Sequence, residues 1–383
     1  MEPGPHYPWP ADEEAVVAGV MSGTSCDGLD VAVCSVTASG RGAEVGLLEF
    51  ASTPYPEATS ALLRVSSDPA GTLSGFVAEL DVRLGRLIAE VACEVAGRHS
   101  IDLIASHGHT VCHYPEGGPH LGERCTMQIG RAAVIAEATG LPVASDFRAR
   151  DLAAGGEGAP LLPYLDWVLL SAPGGAPRSI VNIGGMSNVT HLPGDAPPVG
   201  FDTGPGNLVI NHAARLADPD LPHDVDGRLA ASGTVDEALL GRLMSHPYLS
   251  RRPPKSTGRE ELGEGFVHAV TSEPRAATGA DLVATLTRWV ARSIARALID
   301  FTPQPGEVVV CGGGAHNPVL TAWLSEELGA PLGLTDDLGV PGDAKEAMGF
   351  ALLGSELMRG QPANVPSVTG AAGPRLLGSI TWA

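Results

Sequence analysis

The sequence predicts an α/β protein of two lobes, and three observations carry that prediction. At 383 residues the chain exceeds one ordinary hydrophobic core. Short apolar strand-like runs alternate with helical patterns up to about residue 145, and a second such round begins near residue 179. Two glycine-rich loops, each with a carboxylate, follow apolar stretches far apart in the chain: Met21-Ser22-Gly23-Thr24-Ser25-Cys26-Asp27-Gly28-Leu29-Asp30 and Gly200-Phe201-Asp202-Thr203-Gly204-Pro205-Gly206-Asn207. One loop per lobe gives the expected division. Residues 1–14 form a disordered lead-in, 15–145 the first α/β lobe, 146–343 the second, and 360–383 a tail. The last helix, about 344–358, packs back on the first lobe.

In chain order, Ala15–Val20 and Leu29–Val36 read as two strands joined by the first glycine loop. Phe76, Val77, Leu80, Leu84, Leu87, Ile88 and Val91 recur at helical spacing, which predicts a long amphipathic helix over Phe76–Ala96. Ile101–Ser106 is a short buried strand opening into His107-Gly108-His109-Thr110. Ala132–Thr139 is a helix closed by Gly140, and Pro142–Ser145 a strand entering Asp146-Phe147-Arg148. Asp151–Pro163 holds too many glycines and prolines for a regular element and reads as a loop. Ser179–Ile183, Val189–Leu192 and Pro198–Phe201 are strands. Asn207–Leu216 and Ala280–Ile299 are helices, and Glu307–Cys311 is a strand running into Gly312-Gly313-Gly314, with a helix from Pro318 and a last one over Ala344–Met358.

Composition narrows the function classes. A formal charge of −20 leaves no basic stripe to replace the counterions of nucleic acid or an anionic membrane. No apolar run nears the ~20 residues that cross a bilayer, and the first ten residues lack the pattern of a signal peptide, so the cytoplasm is the expected compartment. The six cysteines show no C-x-x-C pair. Cys112-His113 with His107, His109 and His120 lacks the paired spacing of a structural zinc site.

The two loops suit phosphate handling, which needs amides that approach oxyanions closely and carboxylates that hold a metal or take a proton. Gly23, Thr24, Ser25, Cys26, Asp27, Gly28, Leu29 and Asp30 read as a cradle for ATP phosphates, with Asp27 and Asp30 holding Mg²⁺ directly or through water; a hairpin turn built on Asp27-Gly28 is the plainer alternative. In the second loop Asp202 is placed to accept a proton from an attacking oxygen while the amides of Gly204, Gly206 and Asn207 face phosphates, or else it caps its own turn. Asn182, Gly184 and Gly185 suit phosphate or ribose, and Gly312, Gly313, Gly314 and Asn317 a flat adenine or ribose. Arg148 fits a substrate carboxylate or a structural pair. Lys255 and Ser256 lie in a rigid basic loop fit for an anionic ligand, and Glu346 begins the last helix, where an acid also favours the helix N-terminus.

Together these segments resemble the anhydro-N-acetylmuramic acid kinase family. The resemblance rests on GVMSGTSCDGLD (Gly19–Asp30), SHGHT (Ser106–Thr110), DFRARDLAAGGEGAPLLP (Asp146–Pro163), NIGGMSN (Asn182–Asn188), GFDTGPGN (Gly200–Asn207), PPKSTGRE (Pro253–Glu260), CGGGAHN (Cys311–Asn317) and EAMGFALL (Glu346–Leu353), in the family's order. It implies two actin-like, ribonuclease-H-like lobes with ATP in the cleft between them, and a homodimer. It implies ATP and Mg²⁺ acting on 1,6-anhydro-N-acetylmuramic acid from cell-wall turnover, with hydrolysis of the anhydro bridge and phosphorylation of O6. Asp202 would activate water and Glu346 help hold sugar and water, with His107, Thr110, Arg148, Lys255 and Ser256 on the substrate. A kinase for another anhydrosugar such as levoglucosan, or a non-catalytic sugar or nucleotide sensor, fits the same motifs. Two positions depart from the family's pattern: its usual His-Gly-Gln-Thr reads His107-Gly108-His109-Thr110, and Cys26 stands where an aliphatic residue is usual.

Overall fold

The structure is a computed structural model and describes residues 8–23, 26–66, 73–194, 196–272 and 277–383. Thr24 and Ser25 of the first loop, expected at ATP phosphates, and residues 1–7 of the expected lead-in lie outside the described residues. The chain divides into two compact units, Met1–Leu169 with Ala344–Ala383, and Leu170–Asp343.

The first unit opens with β1 (Ala15–Ser22), β2 (Gly28–Thr37) and β3 (Glu44–Pro54), an antiparallel run, followed by α1 (Glu57–Ser66) and α2 (Ser74–Ala96). Next come β4 (Leu103–Tyr114), β5 (Cys125–Ile129), α3 (Ala132–Thr139), β6 (Val143–Ser145), α4 (Ala149–Ala153) and α5 (Pro163–Leu169). β4 lies parallel to β1 and continues well past the expected Ser106, because its polar end pairs with β5 from His109 to Tyr114. α2 keeps the predicted apolar stripe: Leu80, Leu84 and Ile88 are buried with Val20, Val31, Ile104 and Ile135 in one cluster.

The second unit carries β7 (Arg178–Ile183), β8 (Met186–Leu192), β9 (Val199–Pro205), α6 (Asn207–Ala217), α7 (Arg228–Ser232), α8 (Glu237–Leu243), α9 (Arg259–Leu262), α10 (Glu264–Thr271), α11 (Gly279–Phe301), β10 (Glu307–Cys311), α12 (Pro318–Leu328) and β11 (Leu332–Leu334). Its sheet runs β11-β10-β7-β8-β9. α11 is its axis. Leu282, Leu286, Trp289, Val290, Ile294 and Leu298 are buried at spacings of three and four, and α6, α7, α8, α12 and β9 surround it.

The chain then returns to the first unit with α13 (Lys345–Met358), α14 (Pro366–Thr369) and β12 (Ser379–Thr381). α13 packs on β1, β2 and β4. Its seat is close: a β-carbon on Gly19 would lie 1.9 Å from the Ala347 carbonyl oxygen. β12 pairs with β6, so the first sheet reads β12-β6-β4-β1-β2-β3 with β5 beside β4.

Three expectations change. The lobe boundary set at 145/146 falls at 169/170, because 146–169 binds the first unit through its side chains. Phe147 is buried with its ring 5.5 Å from that of Phe350, Tyr164 donates to Glu356 at 3.0 Å, and Lys345 pairs with Asp166 at 2.7 Å. The expected loop Asp151–Pro163 begins inside α4 and ends at the first residue of α5. Part of the lead-in is held: the Trp9 amide donates to the Met358 carbonyl, and the Arg359 guanidinium donates to the Pro10, Glu13 and Val36 carbonyls.

Candidate active site

Each unit carries its own share of the expected site residues. In the first, after β1, the Cys26 amide donates to the Gly23 carbonyl at 3.2 Å and Cys26 adopts a left-handed φ of 57°. Asp27 is exposed and Asp30 half-buried at the start of β2. Leu29 points into the core and Gly28 packs on β3, where a β-carbon would lie 2.5 Å from the Thr53 carbonyl oxygen. Those two residues therefore offer a ligand backbone alone.

The two departures from the family's pattern meet here. Tyr55 donates its hydroxyl to Ser22 Oγ at 2.7 Å, and Ser22 Oγ lies 3.0 Å from His109 Nδ1. His109 Nε2 then lies 3.8 Å from Cys26 Sγ. Ser22 Oγ therefore sits between the Tyr55 hydroxyl and Nδ1 of the ring, and the other ring nitrogen faces sulfur. His109 is 1% exposed, and burial holds its imidazole down at about 4. It is thus a neutral anchor beneath the loop.

A second cluster forms where β4, the turn after β6 and α13 meet. His107 Nδ1 donates to the Gly108 carbonyl at 2.9 Å, so Nε2 accepts from Arg148 Nε at 3.0 Å. Burial and the neighbouring guanidinium hold His107 well below its ordinary value, and its ring lies 4.6 Å from Phe350. Arg148 Nη1 donates to the Gly158 carbonyl at 3.0 Å, and burial brings the guanidinium down to about 10. Glu346, in the first turn of α13, has its carboxyl raised by burial, with Arg148 and Lys345 drawing it down and Asp30 pushing it up. A carboxyl of raised proton affinity beside a fixed cation suits proton handling. Thr110, further along β4, accepts from Gln128 Nε2 at 3.2 Å.

In the second unit Asp202 sits inside β9 rather than after it, since the strand runs on to Pro205. Its amide donates to the Lys255 carbonyl at 3.1 Å, its carbonyl accepts from the Tyr248 hydroxyl at 2.7 Å, and its Oδ2 accepts from the Thr257 amide at 3.0 Å. The carboxylate is therefore held by a remote loop and does not cap its own turn at Oδ2. Lys255, expected on the substrate, turns its ammonium onto the rings of Tyr248, Phe301 and Phe201 at 4.7, 4.8 and 5.8 Å. Burial lowers it to about 8 while Asp202 pulls it up. Ser256 is exposed beside it.

Three glycine turns converge in this unit. The amides of Asn207 and Leu208 at the start of α6 donate to the carbonyls of Gly184 and Gly185 at 2.7 and 3.1 Å, so these two helix amides already have partners. Asn207 Nδ2 donates to the Ile183 carbonyl at 3.1 Å. A β-carbon on Gly206 would lie 2.4 Å from the Gly184 carbonyl oxygen, one on Gly312 2.3 Å from Asn182 Oδ1, and one on Gly314 2.3 Å from Ile183 Cγ2. Gly204 adopts a φ of 144° and Gly313 packs near Asn207. Asn317, expected at the nucleotide, spends its Oδ1 on the Val319 and Leu320 amides as the cap of α12.

The quoted motifs contain Asp202 and His109 but not all of the groups around them. Thr257 lies inside a quoted motif, but the role of its amide has no signature in residue type. Tyr248, Tyr55 and Asp166 sit in no motif, and only the fold brings them in.

The family model described as anhydro-N-acetylmuramic acid kinase matches residues 15–383. The protein of that name from Salinibacter ruber is 42% identical over 382 residues, covering 95% of this chain and 96% of that one. Its counterpart from Streptomyces coelicolor is 42% identical over 371 residues, covering 95% and 93%. Among solved structures, the Acidaminococcus fermentans (R)-2-hydroxyglutaryl-CoA dehydratase component A aligns over 90% of this chain and 99% of its own, at 14% identity and a TM-score of 0.44. With the quoted motifs in order, a family model matched from β1 to the last residue, and relatives alike along nearly their whole length, the chain belongs to the anhydro-N-acetylmuramic acid kinase family.

Proposed function

We propose that this kinase transfers the γ-phosphoryl group of ATP to O6 of 1,6-anhydro-N-acetylmuramic acid while water opens the anhydro bridge, giving N-acetylmuramic acid 6-phosphate and ADP. Family membership supports the substrate and its place in cell-wall recycling. The observation that carries the mechanism is the hold on Asp202, its amide on the Lys255 carbonyl, its carbonyl on the Tyr248 hydroxyl and its Oδ2 on the Thr257 amide. A carboxylate kept in one orientation is a competent base toward water. Water adds at C1 and gives its proton to Asp202. The C1–O6 bond breaks, O6 takes the γ-phosphorus, and the bond from phosphorus to the β–γ bridging oxygen breaks to release ADP.

Glu346 and Arg148 hold the sugar, with Arg148 aimed by His107, and Thr110 adds a hydroxyl beside them. The amides of Gly23–Asp30, with Thr24 and Ser25, and the glycine turns of the second unit take the nucleotide. Lys255 contributes through its carbonyl and the ring-held end of its side chain, and Ser256 presents its hydroxyl to the substrate. Among the described residues no three metal-binding side chains gather at one point. Mg²⁺ commonly takes one or two carboxylates plus phosphate oxygens and water, and Asp27 with Asp30 fits that demand. When bound there, the ion neutralises phosphate charge. Among the described residues no helix is long and apolar enough to cross a membrane. On the family's pattern the enzyme is a cytoplasmic homodimer.

Product analysis in ¹⁸O-water, with ATP, Mg²⁺ and the anhydromuramate beside levoglucosan, tests this reading. The expected result is N-acetylmuramic acid 6-phosphate labelled at C1, with kcat lowered by about 10²–10⁴ in Asp202→Asn. Label absent from C1 sinks the coupled hydrolysis, and turnover of levoglucosan alone sinks the substrate.

A further inference from the structure

The C-terminal segment beyond residue 360 carries none of the family motifs quoted above, yet it grips the Arg148 turn from both sides. Before that turn, β12 pairs with β6 in antiparallel register, Ser379 with Ser145 and Thr381 with Val143. After it, Asp151 collects the tail. Its Oδ1 accepts from Asn364 Nδ2 and from Thr369 Oγ1, each at 2.8 Å, and its Oδ2 accepts from the Gly158 amide at 2.8 Å. Asp151, Thr369 and Asn364 are 0%, 1% and 6% exposed, so these bonds form in a dry setting where charge-assisted hydrogen bonds are strong.

Backbone bonds repeat the connection. The Glu157 amide donates to the Thr369 carbonyl at 2.8 Å, and the Ala372 amide to the Ala154 carbonyl at 2.9 Å. Gly158 is where this clamp reaches function, since its carbonyl accepts from Arg148 Nη1 at 3.0 Å. A continuous path therefore runs from Asn364 and Thr369 through Asp151 and Gly158 to the guanidinium. Space is tight along it: a β-carbon on Gly156 would lie 2.2 Å from Asp151 Oδ2 and 2.9 Å from Ala371 Cβ.

We infer that Asn364 and Thr369 are positioning residues for the sugar, setting Arg148 through Asp151 and the Gly158 carbonyl. The inference rests on the reading of Arg148 as a sugar contact. With the anchor removed, the 154–158 loop loosens and the guanidinium loses one of its two described orienting bonds. Nucleotide binding does not draw on this path, so the effect falls on one substrate and spares the other.

The test uses the full chain with Asn364→Ala/Thr369→Val, Thr369→Ser and Arg148→Ala, each assayed for KM toward anhydromuramate and toward ATP. The double variant is expected to raise the sugar KM about tenfold with the ATP KM unchanged within about twofold, and Thr369→Ser, which keeps the hydroxyl, to stay near the parent. A sugar KM that rises in Arg148→Ala but not in the double variant overturns the clamp alone. Equal rises in both KM values reduce the tail to general scaffolding and overturn it too. An unchanged sugar KM in Arg148→Ala overturns the reading of Arg148, and the clamp's role with it. Should the double variant fail to fold, the single Thr369→Val against Thr369→Ser makes the same comparison.

Discussion

Around Arg148 and His109, in the first unit, the orienting hydrogen bonds run chiefly from side chain to side chain: Arg148 to His107, Tyr55 to Ser22, Ser22 with His109. Around Asp202 and the glycine turns, in the second, backbone packs on backbone: Asn207 on Gly184, Leu208 on Gly185, Asp202 on Lys255. The two constructions fail differently. Where backbone packs closest, as at Gly206, no room is left for a β-carbon and change comes in steps, while side-chain networks shift gradually with residue type and protonation. Both departures from the family's pattern, Cys26 and His109, fall in the side-chain half, where exchange is tolerable.

The largest expected effect belongs to the backbone half. Gly206→Ala places a β-carbon 2.4 Å from the Gly184 carbonyl oxygen and 2.9 Å from both the Gly185 carbonyl oxygen and Ser187 Oγ. Overpacking of that kind costs about 1–3 kcal/mol or more. Gly185→Ala, in the partner turn, meets nothing nearer than Leu208 Cβ at 3.9 Å and is expected to stay within about 0.5 kcal/mol of the parent. Urea denaturation of the two variants decides the matter. Equal losses would mean that the glycines answer to something other than close approach.

The side-chain half predicts an intermediate effect that depends on pH. His109 titrates near 4 in the folded chain against about 6.5 unfolded. A neutral imidazole is preferred on folding, so its contribution is present above about pH 6.5 and is lost as pH falls from there toward 4. Between about pH 7 and pH 5 this one group withdraws about 2 kcal/mol, at roughly 1.36 kcal/mol per pH unit. The His109→Gln variant has nothing to titrate there. The stability gap between parent and variant should therefore shift by about that amount in the variant's favour at the lower pH. A gap independent of pH would show that His109 is not buried as a neutral ring.

What the sequence disclosed follows the same division. α2 and α11 were legible because a buried stripe at spacings of three and four is a local signal. Glycine turns after apolar runs were legible too, and they do mark where backbone packs on backbone. β3, β5 and β12 were not. Glu44–Pro54 has no fully buried residue and lies on the outer edge of its sheet, and β5 and β12 are short, so pairing with distant partners makes them strands. The aromatic seat of the Lys255 ammonium was not legible for a related reason. Sequence shows a cation in a rigid loop, but not that Tyr248, Phe201 and Phe301 converge on it.

The smallest effect tests whether the two departures belong together. Cys26 Sγ and His109 Nε2 lie 3.8 Å apart, on the other side of the ring from the Tyr55–Ser22 pair. Sulfur is a weak acceptor, so the contact is worth less than an ordinary hydrogen bond. Its effect is nevertheless specific. Replacing Cys26 by Val takes the sulfur contact from the buried Nε2, whereas the same replacement in a His109→Gln background removes no imidazole contact. The cost of Cys26→Val should accordingly be larger in the parent than in that background, by about 0.5–1 kcal/mol in a double-mutant cycle read by urea denaturation near neutral pH. Additivity within about 0.3 kcal/mol would mean that the loop and β4 accepted their unusual residues independently. A positive coupling would make the pair a single substitution in physical terms, one that ties the loop after β1 to the strand carrying His107 without altering the backbone half.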